Sequence, residues 1–185
     1  MIKDVIQEAE THMKGVIESV KREFAAVRTG RANPSILDRV AVDYYGTPTH
    51  LNQLANISVP EARLLLIQPW DKSILGAIEK AILKADLGLN PSNDGSVIRL
   101  LIPQLTEERR KELVKVVRKE AEEKRVVIRN LRRDTNEKLK ALEKEAKIPE
   151  DEVKKALDEV QKLTDRYIVE IDKLLEHKEK EIMEV

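Results

Sequence analysis

The side chains in this sequence with the clearest binding chemistry are four arginines spaced seven, four and three residues apart. They lie in a highly charged stretch that runs from Thr106 to Lys147. On a helix with 3.6 residues per turn, this spacing places the four guanidinium groups on one side. Charges of one sign cannot pair within their own sector, so their field is left for a partner, and a polyanion is the natural one. The four residues are Arg118, Arg125, Arg129 and Arg132.

A long helix is needed to hold these arginines in line. Apolar residues of the same stretch recur at nearly heptad spacing, with the cationic side next to them and acidic residues on the other flank. Charged helices are more often solvated surfaces with i,i+4 ion pairs, but the one-sided sign of these charges favours a binding surface. Cations at the edge of that side are Lys111, Lys115, Arg133 and Lys140, and the apolar stripe comprises Val114, Val117, Ala121, Ile128, Leu131, Leu139 and Leu142, with Thr135 among them.

The composition is typical of long helices with narrow apolar seams, because charged residues make up 37% of the 185 residues and aromatic residues only 3%. A net charge of zero conceals an uneven distribution. Residues 106–147 hold 15 Lys and Arg against 10 Asp and Glu, whereas residues 148–185 hold 7 against 12. One long helix is therefore basic and the next one acidic.

Two further amphipathic helices are predicted, one at each end of the chain. The first runs from Ile2 to about Arg28, and Gly30 suits its C′ position with positive φ. The basic helix begins after the N-cap Thr106 and breaks at residues 147–149, where Pro149 fits the first turn of the last helix. Three apolar seams, none of which buries itself alone, predict an antiparallel three-helix bundle.

The segment between the first two helices has a different period. Strands are predicted at 40–44, 54–59, 63–68 and 97–102, the third of them covered on both faces, and Asp71 caps a helix that stops at Gly88. The sequence thus predicts an α+β protein with two domains. Residues 1–30 and 105–185 form the bundle, residues 31–104 form an inserted β/α/β domain, and a hinge lies at 29–34 and 103–105.

Several kinds of chemistry are not expected. The chain has no phosphate-binding loop and no cysteine, and its histidines, His12, His50 and His177, fall in three different elements. We therefore expect no enzyme, cofactor or metal site. The N-terminus lacks an apolar signal region and no stretch is long enough to span a bilayer, which predicts a cytoplasmic protein. Without aromatic residues on the basic side, recognition of the RNA backbone is favoured over base stacking.

Five sequence runs together resemble the bacterial ribosome recycling factor family over essentially the whole chain. They are Val27-Arg-Thr-Gly-Arg-Ala-Asn-Pro-Ser, Tyr44-Tyr-Gly-Thr-Pro-Thr, Asp86-Leu-Gly-Leu-Asn-Pro, Leu105-Thr-Glu-Glu-Arg-Arg-Lys-Glu-Leu and Arg129-Asn-Leu-Arg-Arg-Asp. The resemblance implies a monomeric, non-enzymatic translation factor. Such a factor binds large-subunit ribosomal RNA in the post-termination ribosome and separates the subunits together with the GTPase elongation factor G.

The resemblance also implies particular residues. RNA contacts are expected at Arg129, Arg132 and Arg133, with Arg118 and Arg125 on the same side. Arg28 and Arg31 beside the hinge fit RNA contacts and a bundle-end cap or inter-domain ion pair equally well. The hinge residues are Thr29, Gly30, Arg31, Pro103, Gln104 and Leu105.

Two alternatives remain open on the residues alone. A helical protein-interaction module, such as a cochaperone or coiled-coil adaptor without RNA binding, explains the apolar seams but not the one-sided arginines. A hydrolase would require polar groups that converge in a cleft of the inserted domain. Salt titration separates the first alternative from RNA binding, because four phosphate contacts predict a log–log slope of roughly −3.

Overall fold

The structure, a computed structural model, describes residues 1–146 and 148–184. It divides into two compact units, one formed by residues 1–28 and 107–183 and the other formed mainly by residues 29–106. The first is helical and the second is built largely from strands, which confirms the predicted α+β class. Lys147 in the predicted helix break and Val185 at the end of the predicted bundle lie outside the described residues.

The helical unit consists of three helices that all pack against one another: α1 (Ile2–Ala26), α3 (Glu107–Glu145) and α4 (Glu150–Met183). Ion pairs show that α3 is antiparallel to α1, because Lys124 pairs with Glu23 and Lys138 with Glu8. The seams hold fully buried side chains such as Met13, Ile128 and Ile171. No helix in the described ranges is long and apolar enough to cross a lipid bilayer.

The prediction that α1 ends at Gly30 with a positive φ is wrong. The helix stops at Ala26, and the next residue, Val27, is already extended with φ −76° and ψ 112°. Gly30 does not have a positive φ, unlike Gly46 and Gly88. Because the chain continues in the extended conformation from Val27, it needs no left-handed residue at this end. Gly30 instead belongs to the segment that connects the two units.

The second unit contains a two-stranded hairpin, a four-stranded antiparallel sheet and one helix. The hairpin is β1 (Ala41–Tyr44) with β2 (Thr47–His50). The strands of the larger sheet are β3 (Ala55–Glu61), β4 (Leu64–Pro69), β5 (Pro91–Asn93) and β6 (Ile98–Leu101). Their order in the sheet is β3-β4-β6-β5. The helix of this unit, α2 (Leu75–Lys84), follows a short 3₁₀ turn whose cap is Asp71.

Two strands in this unit were not predicted. The segments that hold β2 and β5 read as turns because each contains a proline, Pro48 or Pro91. Proline is tolerated there because β2 belongs to a two-stranded hairpin and β5 lies at the edge of its sheet. The hairpin turn is made by Tyr45 and Gly46, both with positive φ, as a two-residue turn requires.

Three further predictions in the sheet region are wrong. Strand β3 does not stop before Pro60 but continues to Glu61, which an edge strand with an irregular register allows. Strand β4 is buried on one face only, because Leu65 and Ile67 are fully buried while the residues that alternate with them are half-buried. Helix α2 ends at Lys84, four residues before Gly88.

Candidate nucleic-acid interface

Three of the four aligned arginines on α3 are already paired with carboxylates, which corrects the expectation that their charges are unneutralised. Arg118 Nε lies 2.6 Å from Glu179 Oε1. Arg125 Nη2 lies 2.6 Å from Asp172 Oδ1. Both acidic partners belong to α4, so the packing of the bundle supplies counter-charges that a helix considered alone does not have.

Glu122 is an acidic residue on the cationic side of α3, where the sequence predicted charges of one sign. Its carboxylate accepts hydrogen bonds from Arg125 Nη1 at 3.1 Å and from Arg129 Nη1 at 3.2 Å. These two bonds, the larger effect from Arg125, lower the pKa of Glu122. For Arg125, burial opposes the charged form, but the bonds to Asp172 and Glu122 outweigh it and raise the pKa. Both groups therefore stay charged at neutral pH.

Arg132 and Arg133 differ from Arg118, Arg125 and Arg129 because neither makes an ion pair within the described residues. Arg132 Nη1 donates only to the neutral amide oxygen of Gln161, at 3.3 Å. Arg133 is exposed to solvent. Together with Arg129, whose side chain is 39% exposed and bound only to Glu122, they form a group of three cations that we call the distal arginine cluster.

The pairing on α3 follows from the register of two antiparallel helices. From Arg118 to Arg125 the chain advances seven residues along α3, and the partner moves back seven residues along α4, from Glu179 to Asp172. A further step of seven residues places Asp165 opposite Arg132. A helical hairpin that folds about its connecting turn pairs residues equally distant from that turn. The predicted break at 147–149 therefore contained the signal for these partners, although the charge pattern of one helix did not.

The remaining predicted site and hinge residues lie at the ends of the two units. Arg28 and Arg31 are both exposed. Thr29 is buried, and its hydroxyl accepts a hydrogen bond from the Arg31 backbone N–H at 3.2 Å. A Cβ added to Gly30 would lie 3.7 Å from the backbone nitrogen of Leu105, so the two connecting segments run side by side. The chain thus enters and leaves the second unit at adjacent points.

This surface has the chemistry to bind phosphate groups rather than to read bases. The pair between Arg129 and Glu122 is partly exposed to solvent. Solvent-exposed ion pairs contribute only about 0–1 kcal/mol, so Arg129 can exchange its carboxylate for a phosphate without a large penalty. The most exposed aromatic side chains of the described residues, Tyr45 and Trp70, belong to the other unit. The distal arginine cluster therefore has no stacking platform of its own.

The fold defines a class of two-domain α+β proteins in which a long three-helix bundle carries an inserted antiparallel sheet unit. Comparison with known proteins narrows this class to one family. A model of "Ribosome recycling factor" matches residues 20–183. A ribosome-recycling factor from Syntrophomonas wolfei is 65% identical over all 185 residues and covers the full length of both chains. The chain therefore belongs to the ribosome recycling factor family.

Two solved structures resemble this one. The solution structure of a ribosome recycling factor has a TM-score of 0.77 and 49% identity, and the match covers 100% of this chain and 98% of the other. The T. thermophilus ribosome recycling factor, which was placed with E. coli elongation factor G on the E. coli post-termination complex, has a TM-score of 0.65 and 50% identity over 99% of both chains.

Proposed function

We propose that this protein is a non-enzymatic, cytoplasmic translation factor that releases ribosomes from mRNA after termination by separating the subunits together with elongation factor G. Membership of the ribosome recycling factor family supports the role. The T. thermophilus relative described with elongation factor G on a post-termination complex supports the choice of partners. The bundle binds ribosomal RNA of the large subunit, and any GTP chemistry belongs to elongation factor G.

The observation that carries the RNA-binding part of this proposal is the distal arginine cluster. Arg132 has only a neutral partner, and Arg133 has none within the described ranges. A guanidinium without a carboxylate gains a charge-assisted hydrogen bond from a phosphate without first giving one up. The pairs at Arg118 and Arg125 must open before they bind phosphate. We therefore assign the principal contacts to Arg132 and Arg133 of the distal arginine cluster, and secondary ones to the arginines paired with carboxylates, Arg118, Arg125 and Arg129.

The mechanism requires a stiff anchor and a movable second unit. The three packed helices supply stiffness, because every helix buries its apolar seam against the other two. Residues 29–34 and 103–105 act as the hinge, with Thr29, Gly30 and Arg31 on one segment and Pro103, Gln104 and Leu105 on the other. Elongation factor G displaces the hinged unit while the bundle holds its position on the RNA, and this displacement breaks contacts between the ribosomal subunits.

Binding to isolated large ribosomal subunits at several salt concentrations tests the anchor. Three phosphate contacts predict a log–log slope between about −2 and −3. Arg132→Ala is expected to reduce the slope by about one unit, whereas Arg22→Ala, an exposed arginine on α1, is expected to leave it unchanged. Equal affinity of the wild type and Arg132→Ala would remove the distal arginine cluster from the mechanism. Binding that is insensitive to salt would favour the protein-interaction alternative.

The hinge is tested by measuring the distance between the two units. Because the chain lacks cysteine, one cysteine introduced at an exposed site in each unit, such as Lys162→Cys and Lys80→Cys, attaches fluorophores specifically. Single-molecule energy transfer is expected to report a broad or multi-state distance distribution in the free protein. A single narrow distribution, unchanged when elongation factor G and ribosomes are added, would argue against a hinge.

A further inference from the structure

Three arginines at seven-residue spacing on α3 face α4, and the third differs from the first two in its partner. Arg118 with Glu179 and Arg125 with Asp172 are direct ion pairs at the same register. One heptad further along α3, the same register brings Arg132 opposite Asp165, but these two residues make no ion pair. The helix geometry that produces two ion pairs therefore leaves the third position without one.

The side chain of Gln161 bridges Arg132 and Asp165. Its amide nitrogen donates to Asp165 Oδ1 at 2.9 Å, and its amide oxygen accepts from Arg132 Nη1 at 3.3 Å. A carboxylate only accepts and a guanidinium only donates, and an amide can bridge the two because it has an acceptor at one end and a donor at the other. Gln161 thus stands between Arg132 Nη1 and Asp165 Oδ1 as a hydrogen-bonded bridge.

We propose that Gln161 is a positioning residue that holds Asp165 away from Arg132 and thereby keeps this guanidinium available for an RNA phosphate. The inference rests on the function proposed above and deepens it by naming the residue that controls one contact. Gln161 and Asp165 are exposed on α4, so substitutions there leave the buried seam intact. Their effect on binding is separable from an effect on folding.

A substitution that adds charge tests the proposal. Gln161→Glu places a carboxylate against Arg132 and creates a third direct ion pair. Binding to isolated large ribosomal subunits is expected to weaken roughly five- to tenfold at 0.1 M salt, with the salt slope reduced by about one unit. Gln7→Glu makes the same chemical change at an exposed position on α1 and is expected to bind as the wild type does.

A double-mutant cycle separates the positioning role from general repulsion by the new charge. If Gln161→Glu acts through Arg132, it has no additional effect on a protein that already carries Arg132→Ala. A loss of the same size in both backgrounds would overturn the proposal, because it would show that the added charge repels RNA directly.

Truncating Gln161, and then Asp165 as well, tests whether lost binding can be restored. Gln161→Ala releases Asp165 to pair with Arg132, so binding is expected to weaken. The double variant Gln161→Ala/Asp165→Ala leaves Arg132 without a carboxylate, and binding is expected to recover to at least the wild-type level. A double variant that binds more weakly than Gln161→Ala, with an unchanged melting temperature, would overturn the proposal.

The same titrations distinguish failure of this inference from failure of the proposed function. If Arg132→Ala weakens binding and Gln161→Glu does not, the positioning role is wrong and the RNA contact stands. If Arg132→Ala binds as the wild type does, the contact itself is wrong and the positioning role falls with it.

Discussion

At the scale of single residues, a polar network fastens α1 to α4 at a half-buried site. Arg166 Nη2 donates to Glu10 Oε1 at 2.8 Å, and the Tyr167 hydroxyl donates to the same oxygen at 3.1 Å. These bonds, the tyrosine contribution first, lower the pKa of Glu10. A carboxyl whose pKa is lowered by folding stabilises the native state above its unfolded pKa, and this stabilisation is lost as the pH falls through the folded value.

Tyr167→Phe removes the hydroxyl but keeps the ring that lies 4.9 Å from the Arg166 guanidinium carbon. The hydroxyl also accepts a hydrogen bond from Arg166 Nη2 at 3.0 Å, so two hydrogen bonds are lost. The free energy of unfolding at pH 7 is expected to fall by about 1–3 kcal/mol, since one hydrogen bond typically contributes about 0.5–1.5 kcal/mol. Because protonation of Glu10 weakens the network, the difference from the wild type is expected to narrow in acid. Chemical denaturation at pH 7 and at about pH 3 measures both effects.

The control for this prediction is Tyr45→Phe, because the Tyr45 side chain is 82% exposed in the hairpin turn. It is expected to unfold as the wild type does at both pH values. A deficit for Tyr167→Phe that stays constant or grows in acid would contradict the role assigned to ionised Glu10.

At the scale of elements, α3 is the longest helix of the bundle and packs against both other helices. Its buried stripe was predicted in outline, with Val117, Ala121, Ile128 and Leu139 fully buried. Its charged sides depend on the neighbouring helices, since Lys124 pairs with α1 and Arg125 with α4.

Ile128→Ala tests the contribution of this stripe. Ile128 is fully buried, and truncation of a buried isoleucine to alanine typically lowers the free energy of unfolding by about 2–5 kcal/mol. Val126→Ala on the same helix is the control, because Val126 is 44% exposed; its effect should stay within about 0.5 kcal/mol. Denaturant titration followed by circular dichroism measures both, and similar losses would show that α3 is not packed as described.

At the scale of the whole molecule, the two compact units suggest that the bundle folds without the inserted unit. The chain enters and leaves that unit at neighbouring points, as the contact between Gly30 and Leu105 shows. If a short linker replaced the inserted unit, the connection between α1 and α3 would also be shorter, and closing a shorter loop costs less entropy. We therefore propose that the bundle is an independent domain.

A deletion variant tests this proposal. Replacing residues 31–104 by a short Gly/Ser linker is expected to yield a helical protein with a single cooperative unfolding transition, measured by circular dichroism and calorimetry. It is also expected to retain salt-dependent binding to large ribosomal subunits without supporting subunit separation. Loss of cooperative unfolding would show that the bundle needs contacts made by the inserted unit.

The sequence by itself determined the features that depend on local periodicity. The 3.6-residue spacing of apolar residues marked three long helices, and the change to a two-residue period marked the inserted strands. The sequence did not predict strands β2 and β5, because Pro48 and Pro91 indicated turns there. A strand at an edge exists because of a partner distant in sequence, and local propensity does not record that partner.

The tertiary structure alone decided which cations are free. On a single helix Arg118, Arg125 and Arg132 are equivalent, because they repeat every seven residues. Packing against α4 then gives the first two a carboxylate and the third an amide. The electrostatic state of a surface arginine is set by atoms within a few ångströms, and those atoms come from a helix that lies far away in sequence.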